Sequence, residues 1–465
     1  MRPKAASPQR WAPPGWSLGL RGALAGLGLA LAGVSWAQSG SGFFAPLENN
    51  PNLLQARYSL EAAQAQLRAL QSPVSLQAQG GVSLFQNSPP PGAPVCPNPI
   101  NPECAALPDS GRSVSLGLAL TPFPFGDVAN QVNSAALGVE QARLGYRQAK
   151  TQLEAQAIEA FYRVQLAGSG LEAAKVGLRL AQANLEATKL RDARGAANPG
   201  EVRQAEANLR QATLQVSDAE RNLSLAQNAL SDLIGNSGAQ PPKLAAPPPG
   251  LPPAVRQAEL SLAQARLNYD QAVRSVLPVL QGSYTRYTNE TDSLGVSINS
   301  RTLQPLLSYN SQVPTSRTPP QDRINGTLTI GLSLNLSLGL LDALEAAQKQ
   351  VDAANQALDA AQRSAKLQGD SLGSALQSAE ATLVNAQQSV VEAQKTLEEA
   401  RERERLGLTS PLATLQAELS LAQARSALVQ ADLNRTQRVL DLYRFYAIPP
   451  SEATQPLGDS GTPVR

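Results

Sequence analysis

The chain has no histidine, only two cysteines, and a single methionine, Met1, in 465 residues. Without imidazole and with two thiols, zinc, haem and His-assisted nucleophilic chemistry have almost no ligands or bases to use. Charged residues make up 16%, where an ordinary domain carries about 25%, and aromatic residues only 4%. All three tryptophans (Trp11, Trp16, Trp36) fall in the first 37 residues, together with Arg2, Lys4, Arg10, Arg21 and no acid. Removing that segment takes the formal net charge from +2 to −2, too balanced for the basic face of a nucleic-acid binder. No nucleotide loop, metal cluster or catalytic constellation is present, so neither an enzyme nor a cofactor is expected.

What is present begins with an export signal. A basic stretch runs to Arg21, the apolar run 22–34 follows, and Ser35-Trp36-Ala37 puts small residues at −3 and −1 of a cleavage site. The apolar run is 13 residues, short of the roughly 20 that a spanning helix needs. Cleavage after residue 37 is expected, and Gln38 in place of Cys implies no N-terminal lipid. No later stretch approaches a transmembrane helix, so membrane entry would require β-structure.

Proline partitions the rest. It crowds into 89–108, 241–253, 314–320 and the tail from Pro449, and is absent from 128–194, 201–240, 254–277, 340–410 and 412–448. The Pro-free stretches are rich in Ala, Gln, Leu, Glu and Arg, all good helix formers. Two of the helices this predicts, 128–194 and 340–406, would each be about 100 Å long, beyond the width of a globular domain, and must be coiled coil.

The heptads are there. Leu344, Val351 and Leu358 step by seven, and Leu376, Leu383, Val390 and Leu397 resume after a gap of 18, a stutter. Val132, Val139 and Tyr146, then Val164, Leu171, Leu178 and Leu185, repeat this at an offset of 212. Return helices match at the same offset: Gln204, Ala205, Glu206 and Leu209 against Gln416, Ala417, Glu418 and Leu421. The chain is an internal duplication.

Four short segments are of another kind. Residues 326–340 put Leu328, Ile330, Leu332, Leu334, Leu336, Leu338 and Leu340 on one face and small polar residues on the other, the period-two pattern of a strand. Segments 74–85 and 113–121 repeat it, and 279–288 does so most weakly. A soluble sandwich would alternate as well, but 9–11 residues span a bilayer, and a polar face almost free of charge suits a wet lumen. Four strands cannot close a barrel, whose known minimum is about eight, so more than one chain must contribute.

The expected organisation is a signal peptide 1–37, a linker 38–48 and a first repeat 49–240. That repeat holds helix 49–72, strands 74–85 and 113–121, long helix 128–194 and return helix 199–234. A Pro-rich linker 241–253 leads to a second repeat 254–448, with helix 254–276, strands 279–288 and 326–340, long helix 340–406 and return helix 411–447, before a tail 449–465. Asn50-Pro51 opens the first helix, Pro124-Phe125-Gly126-Asp127 stands at a strand-to-helix passage, and Arg194-Gly195 and Arg405-Leu406-Gly407-Leu408-Thr409-Ser410-Pro411 make the helix-to-helix turns. In this order the chain resembles the TolC-like outer-membrane efflux protein family over essentially its whole mature length. The resemblance implies a mainly α fold with a small β part. It implies a homotrimer whose twelve strands form one outer-membrane barrel over a periplasmic α-helical barrel, served by a periplasmic adaptor and an inner-membrane pump. The function it implies is a passive exit duct for efflux or type I secretion. Departures from the family are the Pro-rich loop holding Cys96 and Cys104 and the lack of Trp at the interfaces, where Phe85, Phe123, Phe125, Tyr284 and Tyr287 would substitute.

Three sets of residues are singled out. Cys96 and Cys104, in a loop expected outside the cell, suit a disulfide. The turn residues Gly195, Asn198, Pro199, Gly407, Thr409, Ser410 and Pro411 are candidates for adaptor docking. Arg401, Glu402, Arg403, Glu404 and Arg405, with Arg191 and Asp192 in the matching place, are candidates for a periplasmic gate; a solvated helix end with local ion pairs is the other reading. A periplasmic adaptor or tether, or a structural envelope spacer, remains the alternative function, though an adaptor would need neither four alternating strands nor a helical duplication.

Overall fold

A computed structural model describes residues 42–84, 110–121, 124–235, 239–289, 291–313, 325–334 and 338–453. The signal segment, the loop with Cys96 and Cys104, Phe85 and Phe123 lie outside them.

The duplication appears in the element bounds. Helix α2 (Gly126–Ala193) and helix α5 (Leu338–Arg405) each have 68 residues, and the return helices α3 (Pro199–Ile234) and α6 (Pro411–Tyr446) each have 36. All four bounds are displaced by 212 between the halves. The long helices extend about 102 Å. Shorter helices, α1 (Pro51–Leu70) and α4 (Pro253–Val276), lead into the strands. Asn50 caps α1 by accepting the Asn52 N–H at 3.0 Å, with Pro51 in the first turn, where its missing N–H costs nothing.

The halves meet near the middle of α2. Phe43, Phe44 and Leu47, Leu153 and Ile158 of α2, Ile234 of α3, Leu244 of the linker and Val439, Leu440 and Tyr443 of α6 form one buried cluster. The Tyr443 hydroxyl donates to the Ala245 carbonyl at 3.0 Å, which straps the Pro-rich linker to α6. Glu154 is buried and accepts from both the amide and the hydroxyl of Ser451, at 2.8 and 2.7 Å, at the short helix α7 (Pro450–Ala453). Burial raises its carboxyl above the ordinary range, against the lowering effect of those donors and of Lys150.

The sheet differs from expectation. Among the described residues six strands, not four, form one antiparallel sheet in the order β1-β2-β5-β4-β3-β6. They are β1 (Val74–Leu84), β2 (Ser110–Leu120), β3 (Val279–Tyr287), β4 (Asp292–Asn299), β5 (Leu306–Val313) and β6 (Gly326–Ser333). Strands β4 and β5 lie between the expected strands 279–288 and 326–340, where the sequence analysis expects none. The alternation of β4 (Leu294, Val296, Ile298) is present in the sequence over only eight residues, and β5 breaks its own with Ser311 between Tyr309 and Val313. The expected strand 326–340 also ends early: β6 stops at Ser333 and α5 begins at Leu338. Leu338 and Leu340 fit the end of an alternating run and the start of a helix equally well, because two points cannot separate periods of 2 and 3.6.

Candidate functional site

The sheet carries one apolar face across all six strands. Register places Leu76 opposite Leu118, Leu118 opposite Leu307, Leu307 opposite Val296, Val296 opposite Tyr284 and Tyr284 opposite Leu328. The adjacent row on the other face reads Gln77, Gly117, Ser308, Gly295, Thr285 and Thr327. The apolar row is open: Leu76 is 73% exposed, Leu328 67% and Ile330 71%. Burying such a side chain is worth about 1.5–3 kcal/mol, so this many in water on one face would be prohibitive, whereas lipid removes the cost. No helix among the described residues is long and apolar enough to cross a membrane. Tyr284 lies within the apolar row, two residues from the start of β6 by its pairing with Leu328, and Phe125 stands exposed just before α2.

At the opposite ends of the long helices, the two turns have the same construction. After α2, the Gly195 N–H donates to the Asp192 carbonyl at 2.8 Å and the Ala196 N–H to that of Arg191 at 2.8 Å; after α5, Gly407 donates to Glu404 at 2.9 Å and Leu408 to Arg403 at 2.8 Å. This paired pattern closes a helix through a left-handed residue, and Gly195 and Gly407 have φ of +68° and +72°. Asn198 caps α3, its side chain accepting the Glu201 N–H at 2.9 Å, with Pro199 next. Ser410 holds the equivalent position before Pro411 but makes no side-chain cap bond, a departure from the symmetry read in the sequence. The Thr409 hydroxyl is buried with no hydrogen-bond partner among the described residues.

The charged run divides into two kinds of contact. Glu402 takes a two-pronged bond from Arg405, at 3.0 and 2.6 Å, within one exposed helical turn; this bond holds the Glu402 carboxyl below its ordinary range. Arg401 instead reaches Glu418 on α6 at 2.9 Å, and the same carboxylate meets Arg179 of α2 at 3.4 Å. One carboxylate thus ties three helices. Asp192, Arg403 and Glu404 enter no ion pair among the described residues, and Arg191 donates to the Thr188 hydroxyl at 3.3 Å. Arg401 and Glu418 were missed as a pair in the sequence, although a signal existed: they stand at +212 from Lys189 and Glu206, which meet at 4.0 Å; Arg179 has no such counterpart.

The strand-to-helix junction also holds a constraint. Gly126 opens α2 at φ +57°, and the Arg301 carbonyl, from the turn between β4 and β5, accepts the next amide, Asp127 N–H, at 3.2 Å. Nothing in the sequence pairs these two residues, since the turn that brings them together was not foreseen.

None of the curated proteins matches the chain. Among solved structures, it resembles a membrane protein from Pseudomonas aeruginosa, with 19% identity and a TM-score of 0.60 over 87% of this chain and 92% of that one. It also resembles the CmeC outer membrane channel of Campylobacter jejuni, with 17% identity and a TM-score of 0.60 over 88% and 85%. A third likeness is to the outer membrane protein VceC of Vibrio cholerae, with 19% identity and a TM-score of 0.58 over 88% and 95%. At these identities the likeness is one of fold. The model of the outer membrane efflux protein family matches residues 45–236 and 252–447, one segment for each repeat. The chain is therefore a member of the outer membrane efflux protein family, seated in the outer membrane and extending into the periplasm.

Proposed function

We propose that this protein is the exit duct of a tripartite export system, a homotrimer that passes solutes or polypeptides across the periplasm and outer membrane. The observation that carries this reading is the pairing, in one chain, of an exposed apolar sheet with helical hairpins about 100 Å long whose far ends are two equivalent turns. An open strand edge is prohibitive in lipid, so the sheet requires further copies to close. Closure puts the polar faces of the strands on an aqueous lumen, and the long helices continue that lumen into the periplasm.

On this reading the duct is passive, and energy comes from an inner-membrane pump through a periplasmic adaptor. The turns at Gly195, Asn198 and Pro199 and at Gly407, Thr409, Ser410 and Pro411 form the docking rim. The charged residues Arg191, Asp192 and Arg401, Glu402, Arg403, Glu404 and Arg405 stand beside the mouth. An adaptor or tether is disfavoured by the six-stranded apolar sheet, which it would leave exposed.

Reconstitution tests the reading directly. Purified protein in a planar bilayer should give discrete conductance steps, and should migrate as a heat-modifiable trimer. A species that stays monomeric and conducts nothing would favour the spacer or tether instead.

A further inference from the structure

Strands β4 and β5 bear on the size of the barrel. Helix α1 packs on α2, α2 on α4 and α4 on α5, so strands continuing directly from these helices would run β1, β2, β3, β6. The observed order inserts β5 and β4 between β2 and β3. The hairpin therefore stands in the wall, above the contact between α2 and α4.

Its side chains are in phase with the wall. Leu307 and Val296 complete the apolar row between Leu118 and Tyr284, and Ser308 and Gly295 complete the polar row between Gly117 and Thr285. A hairpin folded into a wet lumen as a plug would not need a lipid-type face with Leu294, Val296 and Ile298 half exposed. At eight residues, β4 and β5 equal β6 in length.

The turn between them is fastened to the helices beneath. The Arg301 carbonyl accepts from Asp127 of α2, and the Arg301 guanidinium donates to the Ser275 carbonyl of α4 at 3.3 Å. The Gln304 amide donates to the Thr121 hydroxyl at 2.6 Å, and the Leu120 N–H to the Pro305 carbonyl at 3.0 Å. Just below, Arg274 of α4 donates to Asn130 of α2 at 2.7 Å. The hairpin is thus hydrogen-bonded along both edges and at its turn, which leaves β1 and β6 as the edges of the sheet.

We propose that three copies, each closing its β1 edge against the β6 edge of the next, form an eighteen-stranded barrel rather than a twelve-stranded one. The proposal rests on the trimeric duct reading above. With strands about 4.8 Å apart and tilted about 40°, twelve strands give a backbone diameter of roughly 24 Å and eighteen roughly 36 Å. The outer-membrane segment then becomes as wide as a porin, leaving the periplasmic end of the helices as the narrowest place in the duct.

Electron cryomicroscopy of the full-length protein in lipid nanodiscs tests this. Eighteen strands per trimer are expected, with 292–313 facing lipid. A trimer with a twelve-stranded wall and 292–313 in the lumen or outside overturns the inference but leaves the duct reading intact; the absence of a closed trimeric barrel overturns both. A second measurement uses Val114 and Ser311, which face each other across β2 and β5. In a Cys96→Ser, Cys104→Ser background, Val114→Cys with Ser311→Cys should oxidise nearly completely to an intrachain bond in outer membranes, seen as a reductant-reversible shift in electrophoretic mobility. No cross-link in protein that assembles normally would place the hairpin elsewhere and overturn the inference.

Discussion

A Cβ on residue 126 would stand 1.8 Å from the carbonyl oxygen of Arg301. Gly126 also has φ +57°, so a side chain there meets both backbone strain and a clash with main chain that cannot rotate away. Strain alone costs a non-glycine residue roughly 1–2 kcal/mol. The clash adds to this by forcing the β4–β5 turn off the α2 terminus. Gly126→Ala should therefore lower the temperature at which the assembled protein dissociates by more than Gly195→Ala does, because residue 195 has nothing within 4 Å. Equal shifts in heat-modified electrophoresis would show that the junction yields freely.

Glu154 gives the fold a pH dependence of definite sign. Burial is the largest influence on its carboxyl and raises it, aided by Glu452; the Ser451 donors and Lys150, at 3.9 Å, pull the other way. A carboxyl raised in the folded state supports stability below its ordinary value, about 4.3. That support is lost as pH rises through the raised value, because only the unfolded chain ionises freely. Glu154→Gln keeps an acceptor for the Ser451 amide and removes the titration. The wild type should lose stability relative to this variant as pH climbs from 4 to 7, measured as the difference between their melting temperatures. A gap that widens in favour of the wild type would mean that Glu154 is held as a stabilised anion.

Much of this was legible in the sequence because repetition amplified it. A seven-step series can arise from an Ala- and Gln-rich composition, but Gly195 and Gly407, Pro199 and Pro411, and Ala205 and Ala417 share one offset, and the helix bounds follow it. The β4–β5 hairpin was hidden for the opposite reason: among the described residues the first half holds no counterpart to draw attention to it. Gly126 was recognised as part of a passage, while its partner Arg301 was not, since that contact is made across 175 residues by strand pairing alone. The ion pair at Glu418 was missed because its two halves lie on different helices, and helix periodicity speaks only of neighbours on one helix.

The two thiols lie outside the described residues, and the expectation for them stands on the sequence. Cys96 and Cys104 are separated by seven residues rich in proline and asparagine, and an exported chain meets an oxidising compartment. Maleimide labelling of the denatured, unreduced protein should find no free thiol, and two after reduction. Cys96→Ser with Cys104→Ser should conduct as the wild type does, since the hairpin ends lie away from the helical mouth.

The charged run near the mouth can be dissected by its partners. Glu402 and Arg405 pair within one turn, so exchanging them, as Glu402→Arg with Arg405→Glu, should leave conductance unchanged. Arg401→Glu is different, because it faces Glu418 with like charge on a neighbouring helix and leaves Arg179 to hold that carboxylate alone. Half-exposed pairs of this kind are worth only roughly 0.2–1 kcal/mol, so the fold should survive while the helix ends loosen. The expected outcome is a higher leak conductance for Arg401→Glu, larger at low salt than at 1 M, where charges are screened within about 3 Å. A leak equal to the wild type's at each salt would remove Arg401 from any gate.

The turns at Gly195 and Gly407 offer a cleaner test of docking than their geometry first suggests. Each glycine sits at positive φ, so alanine there costs roughly 1–2 kcal/mol, yet an added Cβ would have nothing within 4 Å at either position. A tryptophan pays the same backbone strain as alanine and its Cβ has the same open space, so a loss of export that alanine does not show, in protein that still assembles and conducts, points to a surface outside the duct. Gly195→Ala with Gly407→Ala should export nearly as well as the wild type. Gly195→Trp with Gly407→Trp should assemble, migrate as a trimer and conduct in planar bilayers, but fail to export in cells and fail to capture a periplasmic adaptor in a cross-linking pull-down. Full export by the double tryptophan variant would remove the docking role from both turns. Loss of conductance together with export would instead trace the defect to the duct itself.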